Sequence, residues 1–359
     1  MRRLVISAAL LLVVAAGCSS DSSTGVISTG EAPPAPAEPT TEPTPEPAAE
    51  PTAEATAEPT PEPTPQPSPE TSGAPTIDEL LASPGPLNIA HAGGDQEAPH
   101  STMFAFDSAV AAGADVLELD VQLSGDGVLI VQHDDTVGKT TNETGPVADR
   151  SFDELAALDA GYWFSPECWP CQDRPVEEYV YRGVRTGEVD PPAGATPEDF
   201  RIITFRELAE AYPDLPFDIE IKGSYPDAVP VAEALAAELR ELGRTDSAVV
   251  VSFDDELLAA FEEIAPEVET SPGVDEMTAW ILGGQPLTGH RIVQVPPEFD
   301  GVTVLSPAFW ELVERDGVVV WVWPNDAATQ ENAAFYGDLV AQGAHGVIAG
   351  RPVEMAGIG

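Results

Sequence analysis

Eight short apolar runs alternate with helical stretches along residues 77–359, and this alternation restricts the possible fold more than any other feature. Runs rich in Val, Ile and Ala between Gly and Pro predict strands, and apolar residues three and four apart predict helices. The predicted strands are 87–93, 115–121, 216–223, 247–253, 269–273, 291–296, 317–325 and 345–350, and the predicted helices are 102–112, 205–211, 228–242, 255–264, 307–315 and 327–342. This order predicts an α/β fold, a (β/α)8 TIM barrel. The alternative, an open doubly wound sheet, lacks a Gly-rich phosphate loop after its first strand.

A ninth apolar run, 129–134, follows the second strand after only a short turn containing Gly-Asp-Gly. A parallel crossover needs about a dozen residues, so this run is expected to return as an antiparallel hairpin. The hairpin would bring His133 back beside Glu118 and Asp120 of the second strand. We expect the rest of the segment, about 122–200 in all, to be an insertion that covers the mouth of the barrel.

Two carboxylates occupy alternate positions of the second strand, in the run VLELDV. Glu118 and Asp120 therefore share one face of that strand. Burying two like charges side by side is costly unless a positive group lies between them. A structural ion pair would need a basic partner that neither strand of the hairpin supplies. The third strand repeats the pattern with Glu220 and ends in Lys222, and such oxygen ligands favour Ca²⁺ or Mg²⁺ over zinc.

The amino terminus predicts export. Residues 1–17 begin with Arg2 and Arg3, contain an apolar run too short to span a bilayer, and end in small residues before Cys18. This resembles a lipoprotein signal with lipidation at Cys18; a plain secretory signal is the alternative. Residues 18–76 form a Pro/Thr/Glu-rich linker that is expected to be disordered. The mature protein is therefore expected outside the cytoplasm, anchored by lipid to a bacterial cell membrane.

The net charge of the chain argues against one class of partner. The chain has 62 acidic and 15 basic residues, a net charge of −47, which argues against nucleic acid as a partner. Residues 77–359 contain no linker-like gap, so we expect one domain and a monomer.

In the run CWPC, Cys168 and Cys171 are expected to form a local disulfide outside the cytoplasm. A zinc pair would need further ligands, and a redox motif would need a helix start after a strand.

The runs IAHAGG, VLELDVQLSGDGVLIVQHDD and DIEIKG resemble the glycerophosphodiester phosphodiesterase family, and the resemblance extends over nearly all of the chain from residue 87. The resemblance implies a metal-dependent barrel that splits glycerophosphodiesters, which are small-molecule substrates, into glycerol 3-phosphate and an alcohol. It implies His91 and His133 as the acid/base pair, Glu118, Asp120 and Glu220 as ligands of a divalent metal, and Lys222 as a phosphate contact.

The chain departs from the family pattern at three places. Ala92 stands where the family has a phosphate-binding Arg. His100 stands where the family has a metal-binding Glu; it could ligate the metal or touch phosphate, and Glu97 is a second candidate for such a contact. Ala349 and Gly350 replace a usual Thr-Asp pair. We expect the substrate pocket to be reshaped.

Two tryptophans and the choice of substrate remain open. Trp321 and Trp323 share one strand face, so they are either core packing or a stacking floor for a substrate headgroup. An alternative function is phospholipase-D-like action on a lysolipid, which some similar barrels perform. An apolar groove in the insertion would favour it. A non-catalytic ligand-binding lipoprotein is another, which the loss of Arg at Ala92 supports and the retained histidines oppose.

Overall fold

The protein is described from a computed structural model that covers residues 73–166 and 168–358. The predicted signal peptide, most of the linker and the lipidation site Cys18 lie outside the described residues. Within the described ranges, no helix is both long enough and apolar enough to cross a bilayer.

Strands build the centre of the fold. In the described residues they are β1 Leu87–Ala90, β2 Val116–Leu123, β3 Leu129–Val131, β4 Phe217–Ile221, β5 Ala248–Val251, β6 Glu269–Thr270, β7 Ile292–Val295, β8 Glu298–Phe299, β9 Val302–Thr303, β10 Val319–Val322 and β11 Gly346–Ala349. Eight of these are mutually parallel, in the spatial order β6-β5-β4-β2-β1-β11-β10-β7. This nearly closed ring confirms the predicted (β/α)8 TIM barrel.

Helices alternate with most of the parallel strands. They are α1 Ile77–Leu81, α2 Met103–Ala111, α3 Phe152–Ala156, α4 Phe205–Ala211, α5 Val229–Glu241, α6 Asp255–Ile264, α7 Val274–Ile281, α8 Pro307–Asp316, α9 Ala333–Gln342 and α10 Pro352–Met355. Helix α9 begins later than predicted because Asn332 caps it, accepting a hydrogen bond from the backbone N–H of Phe335. Helix α7 was not predicted from the sequence.

Apolar side chains fill the barrel below its carboxyl end. Ile89, Val116, Val249 and Trp321 belong to this interior cluster, and each is fully buried. A larger cluster packs the outer face of the strands against the helices. Each large apolar side chain buried in this way contributes about 1.5–3 kcal/mol. The apolar filling leaves the carboxyl ends of the strands as the place where charged side chains meet.

The hairpin after the second strand forms as predicted. Strand β3 pairs antiparallel with β2, and Val131 lies opposite Val121. The Ser124 hydroxyl closes the turn by accepting the N–H of Val128. The insertion that follows has a small apolar cluster, which includes Val137 and Leu155 and contains Ile130 of β3 as well. A second hairpin, β8 with β9, follows β7 and was not predicted.

Candidate active site

The register of β2 with β4 brings the predicted carboxylates together. Glu118 lies opposite Asp218, and Asp120 lies opposite Glu220. Residues opposite each other in neighbouring strands point to the same face, here the inside of the barrel. A cavity of about 640 Å³ opens above them. Its lining includes every residue to which the resemblance gave a catalytic, metal or phosphate role: His91, Glu118, Asp120, His133, Glu220 and Lys222.

Lys222 supplies the positive charge of this cluster. Its Nζ lies 2.7 Å from Oε1 of Glu220 and 3.6 Å from Oδ1 of Asp120. Burial alone would lower the pKa of Lys222, but the two carboxylates outweigh it and raise that pKa. The basic partner that the hairpin strands lack therefore comes from the residue that follows β4.

The carboxylates are only partly compensated by hydrogen bonds. Oε2 of Glu118 accepts the backbone N–H of Ala92 at 2.7 Å, whereas Oδ2 of Asp120 is buried and has no hydrogen-bond partner. Burial, together with the negative charge of Asp120, raises the pKa of Glu118 well above its ordinary value. Among the described residues, no group of three or more His, Cys, Asp or Glu side chains is arranged to hold a metal ion. The orphaned oxygen and the all-oxygen donor set nevertheless fit a hard divalent cation.

His91 follows β1 in a tight turn. Its Nδ1 lies 3.2 Å from Oδ1 of Asp95, a partner that the sequence did not reveal although it stands only four residues away. Burial alone would lower the pKa of His91, but the charges of Asp95 and Glu118 raise it well above its ordinary value. The next residue, Ala92, has a left-handed φ of 47° and is fully buried. This strained turn directs the N–H of Ala92 to Glu118.

His133 ends the hairpin and has a carboxylate partner of its own. Its Nδ1 lies 2.7 Å from Oδ1 of Asp134. Burial alone would raise the pKa of Asp134, but His133 and Lys139 lower it to about 2. The amide of Gln122 donates to the backbone carbonyls of Gln132 and Asp134, which fixes the end of the hairpin. His91 and His133 are thus both held at Nδ1, which leaves Nε2 for proton transfer; Nε2 of His133 lies 3.3 Å from Nζ of Lys222.

His100 lies between the two histidines. Its ring centroid is 6.2 Å from that of His91 and 5.9 Å from that of His133. Burial lowers the pKa of His100 to about 4, so the ring is neutral at neutral pH and can act as a ligand. All three histidines line a second cavity of about 210 Å³, together with Glu331 and Trp169.

The structure separates two predicted residues from the site. Oε2 of Glu97 accepts the N–H of Val353 at the start of α10, and Glu97 lines neither cavity. Trp321 is fully buried in the barrel interior and also lines neither cavity, so it cannot offer a stacking surface. Both assignments to substrate binding are therefore corrected. Trp323, two residues further along the same strand face, does line the larger cavity.

The larger cavity continues away from the carboxylates as an apolar groove. Its side chains come from the β5–β9 side of the barrel, among them Phe253, Met277, Leu282 and Phe299. Phe253 and Leu282 are 50% and 65% exposed, respectively, which is unusual for large apolar residues. The groove therefore lies on this side of the barrel and not in the insertion.

The insertion lines part of the smaller cavity. Cys168 and Cys171 form a disulfide, with their Cα atoms 5.5 Å apart. Between them, the ring centroid of Trp169 lies 6.1 Å from that of His100.

His290 lies away from the site, where its Nε2 is 3.4 Å from a carboxylate oxygen of Glu276.

Comparison with known proteins connects this geometry to a family. The family model described as "Glycerophosphoryl diester phosphodiesterase family" matches residues 91–354. A glycerophosphodiester phosphodiesterase of Caldanaerobacter subterraneus is 33% identical over 51% of this chain and 64% of its own length. One from Bacillus subtilis is 30% identical over 53% of this chain and 60% of its own length. The chain therefore spans somewhat less than two thirds of these curated relatives.

Solved structures extend the similarity at the level of the fold. The glycerophosphodiester phosphodiesterase of Agrobacterium tumefaciens is 25% identical, with a TM-score of 0.55, and the match covers 75% of this chain and 98% of that chain. A phosphodiesterase of Oleispira antarctica, solved in complex with the product sn-glycerol-3-phosphate, is 20% identical, with a TM-score of 0.57 and coverage of 76% and 96%.

Proposed function

The chain belongs to the glycerophosphoryl diester phosphodiesterase family, and on that premise we propose that it hydrolyses glycerophosphodiesters to glycerol 3-phosphate and an alcohol. One observation carries the proposal: His91 and His133 line the same cavity as the carboxylate cluster and Lys222. Phosphodiester cleavage needs a proton acceptor, a proton donor and positive charge near the phosphoryl oxygens, and this cavity offers all three.

The two histidines divide the proton transfers. A hydroxyl, from water or from the substrate's own glycerol, attacks phosphorus while the bond from phosphorus to the alcohol oxygen breaks. His133 accepts the proton of the attacking hydroxyl at Nε2. His91 is suited to protonate the leaving alcohol, since the charges of Asp95 and Glu118 outweigh its burial and raise its pKa well above the ordinary value. If the glycerol hydroxyl attacks, a water must then open the cyclic phosphate with the two roles reversed.

The charged groups are assigned to the phosphate. Glu118, Asp120 and Glu220 would hold a divalent cation, Ca²⁺ or Mg²⁺, with His100 as an additional ligand. When bound, such a cation supplies positive charge against the oxygens of the phosphoryl group. Lys222 contacts the same oxygens and replaces part of the charge that an arginine at Ala92 would have provided.

We also infer the setting of the enzyme from its amino terminus. Lipid attached to Cys18 would anchor the mature chain to the outer face of a bacterial cell membrane, and residues 18–76 would hold the barrel, 77–359, away from it. The high negative charge keeps nucleic acid from binding. We expect the barrel to act as a monomer.

The apolar groove favours a second candidate, phospholipase-D-like cleavage of lysophospholipids. The groove is continuous with the carboxylate cluster, and its exposed Phe253 and Leu282 would cover part of an acyl chain. A glycerophosphodiester with a small headgroup would leave most of this groove unfilled.

The test incubates the full chain with glycerophosphocholine and lysophosphatidylcholine, each with Ca²⁺, with Mg²⁺ and with chelator. Turnover of glycerophosphocholine that stops with chelator supports the proposal. Turnover of the lysolipid alone supports the second candidate. Absence of turnover with either metal contradicts both and supports a ligand-binding lipoprotein.

A further inference from the structure

Gly350 follows β11 directly and lies beside the turn that carries His91. Strands β1 and β11 are parallel neighbours, with Ala90 opposite Ala349, so the residues that follow each of them are also adjacent. The N–H of Gln96 donates to the carbonyl of Gly350 at 3.0 Å. The loop after β1 is thus fixed to the end of β11.

The missing side chain at position 350 creates a space that other residues use. A β-carbon built there would lie 2.6 Å from Oδ1 of Asp95, 2.7 Å from Cγ of Gln96 and 3.0 Å from the carboxyl carbon of Glu331. The φ of Gly350 is not in the left-handed region, so its backbone conformation is open to any residue. Glycine is needed here for space and not for conformation.

Asp95 comes nearest to this space, with a carboxylate oxygen. Its side chain is 10% exposed, and its Oδ1 lies 3.2 Å from Nδ1 of His91. Its other oxygen, Oδ2, accepts the side-chain amide of Gln96 at 3.2 Å. Asp95 is therefore directed at His91 by contacts on both of its oxygens.

Glu331 closes the space from the other side. Its Oε2 accepts the N–H of Gly350 at 2.9 Å and the hydroxyl of Tyr336. With Glu331 fixed in this way, Asp95 has no room to retreat from a new side chain at position 350 without leaving His91.

We propose that Asp95 and Gly350 form one positioning unit for His91: the absence of a side chain at 350 admits the Asp95 carboxylate, which fixes the proton of His91 on Nδ1 and presents Nε2 to the cavity. Neither residue touches the reacting atoms in this arrangement. The consequence for turnover rests on the proposed function, whereas the position of the His91 proton does not.

A double-mutant cycle tests the coupling of the two positions. Gly350→Ala and Asp95→Ala are each expected to lower kcat by about 10- to 100-fold with KM nearly unchanged, because they disturb a partner of the proton carrier and no substrate contact. The double variant should be no slower than Asp95→Ala, because Gly350→Ala acts through Asp95. Multiplicative losses in the double variant would overturn the proposal.

Gly337 provides the matched control. It lies in α9, where a β-carbon would meet nothing within 4 Å, so Gly337→Ala should leave kcat unchanged. Thermal unfolding of each variant shows whether it is folded. If Gly350→Ala does not fold, Asp95→Asn, which alters no packing volume, carries the test: kcat equal to the parent's would overturn the proposal.

A second readout does not depend on turnover. In protein labelled with ¹⁵N-histidine, the Nδ1 proton of His91 should be held by Asp95 and protected from solvent exchange in the parent and in Gly337→Ala, whether or not Nε2 also carries a proton. It should exchange freely with solvent in Asp95→Ala and Gly350→Ala. If the parent cleaves no diester, the proposed function fails, and this spectrum still decides the positioning unit. An unchanged His91 signal in both variants would overturn it.

Discussion

Nζ of Lys222, after the end of β4, lies 3.3 Å from Nε2 of His133, at the end of the hairpin, although 89 residues separate them in the chain. Both residues line the larger cavity beside the carboxylate cluster. A fixed positive charge and a proton carrier are thus held next to each other, which is the arrangement that stabilises charge on a phosphoryl group during proton transfer. Single substitutions of this pair and of two neighbouring carboxylates test the assignment.

The first is His133. The variant His133→Asn keeps a polar side chain that cannot transfer a proton, so kcat/KM should fall by about 10²- to 10⁴-fold. Folding should change little, because the side chain of His133 is 38% exposed. His290→Gln is the control, since it also removes one histidine but lies away from the cavity. Turnover of glycerophosphocholine measures both, and full activity of His133→Asn would contradict its role.

The second concerns the charge balance at Lys222. Lys222→Met leaves Glu220 and the 1%-exposed Asp120 without their cation, so the free energy of unfolding at neutral pH should fall by about 3 kcal/mol. Lys139→Met removes an ion pair with the more exposed Asp134 and should cost less than about 1 kcal/mol. Urea denaturation compares the two, and equal losses would contradict the burial argument.

The third concerns cation binding by Asp120. In the absence of divalent cation, Asp120→Asn should be at least as stable as the parent, because it removes a negative charge that has one orphaned oxygen. The parent should gain about 2.7 kcal/mol when Ca²⁺ or Mg²⁺ is present at 100 times its Kd, and Asp120→Asn should lose most of that gain. Thermal unfolding with and without chelator measures both. Asp338→Asn, on the exposed surface of α9, should keep the parent's gain.

The fourth concerns pH and Asp218. Burial, followed by the negative charges of Glu220 and Asp120, raises the pKa of Asp218 to about 7, although Gln294 donates a hydrogen bond to it. The folded state binds this proton more tightly than the unfolded chain does, so the contribution is present below pH ~4 and is lost as pH rises through 7. Asp218→Asn should remove this loss and make the protein about 2–4 kcal/mol more stable than the parent at pH 8.

The measurement for Asp218 is urea denaturation between pH 4 and pH 8 in chelator. The difference between parent and variant should widen from pH 4 to about pH 7 and then level off. A difference that stays constant over this range would show that Asp218 does not titrate in it.

Local patterns in the sequence were sufficient to predict the barrel and its hairpin. The alternation of apolar runs and helical stretches predicted the eight parallel strands, because the period of side-chain burial is set by the local backbone geometry. The turn after β2 is too short for anything but an antiparallel hairpin, and its length alone predicted that His133 lies near Glu118 and Asp120.

The partners of those residues depended on contacts between distant segments. No local pattern could show that Lys222 reaches Asp120, because that contact follows from the register of β2 with β4. Nor could it show that Trp321 lies below the cavity while Trp323 lines it, since both share one strand face and differ only in depth.

The sequence by itself thus determined the fold class, the hairpin and the faces on which the charged side chains lie. Only the tertiary structure decided which charges compensate one another, that Asp95 fills the space beside Gly350, and that the apolar groove lies on the β5–β9 side. The physical reason is that the repeat of a strand or helix fixes the direction of a side chain, whereas its partner is fixed only when the barrel closes and strands far apart in the chain come into register.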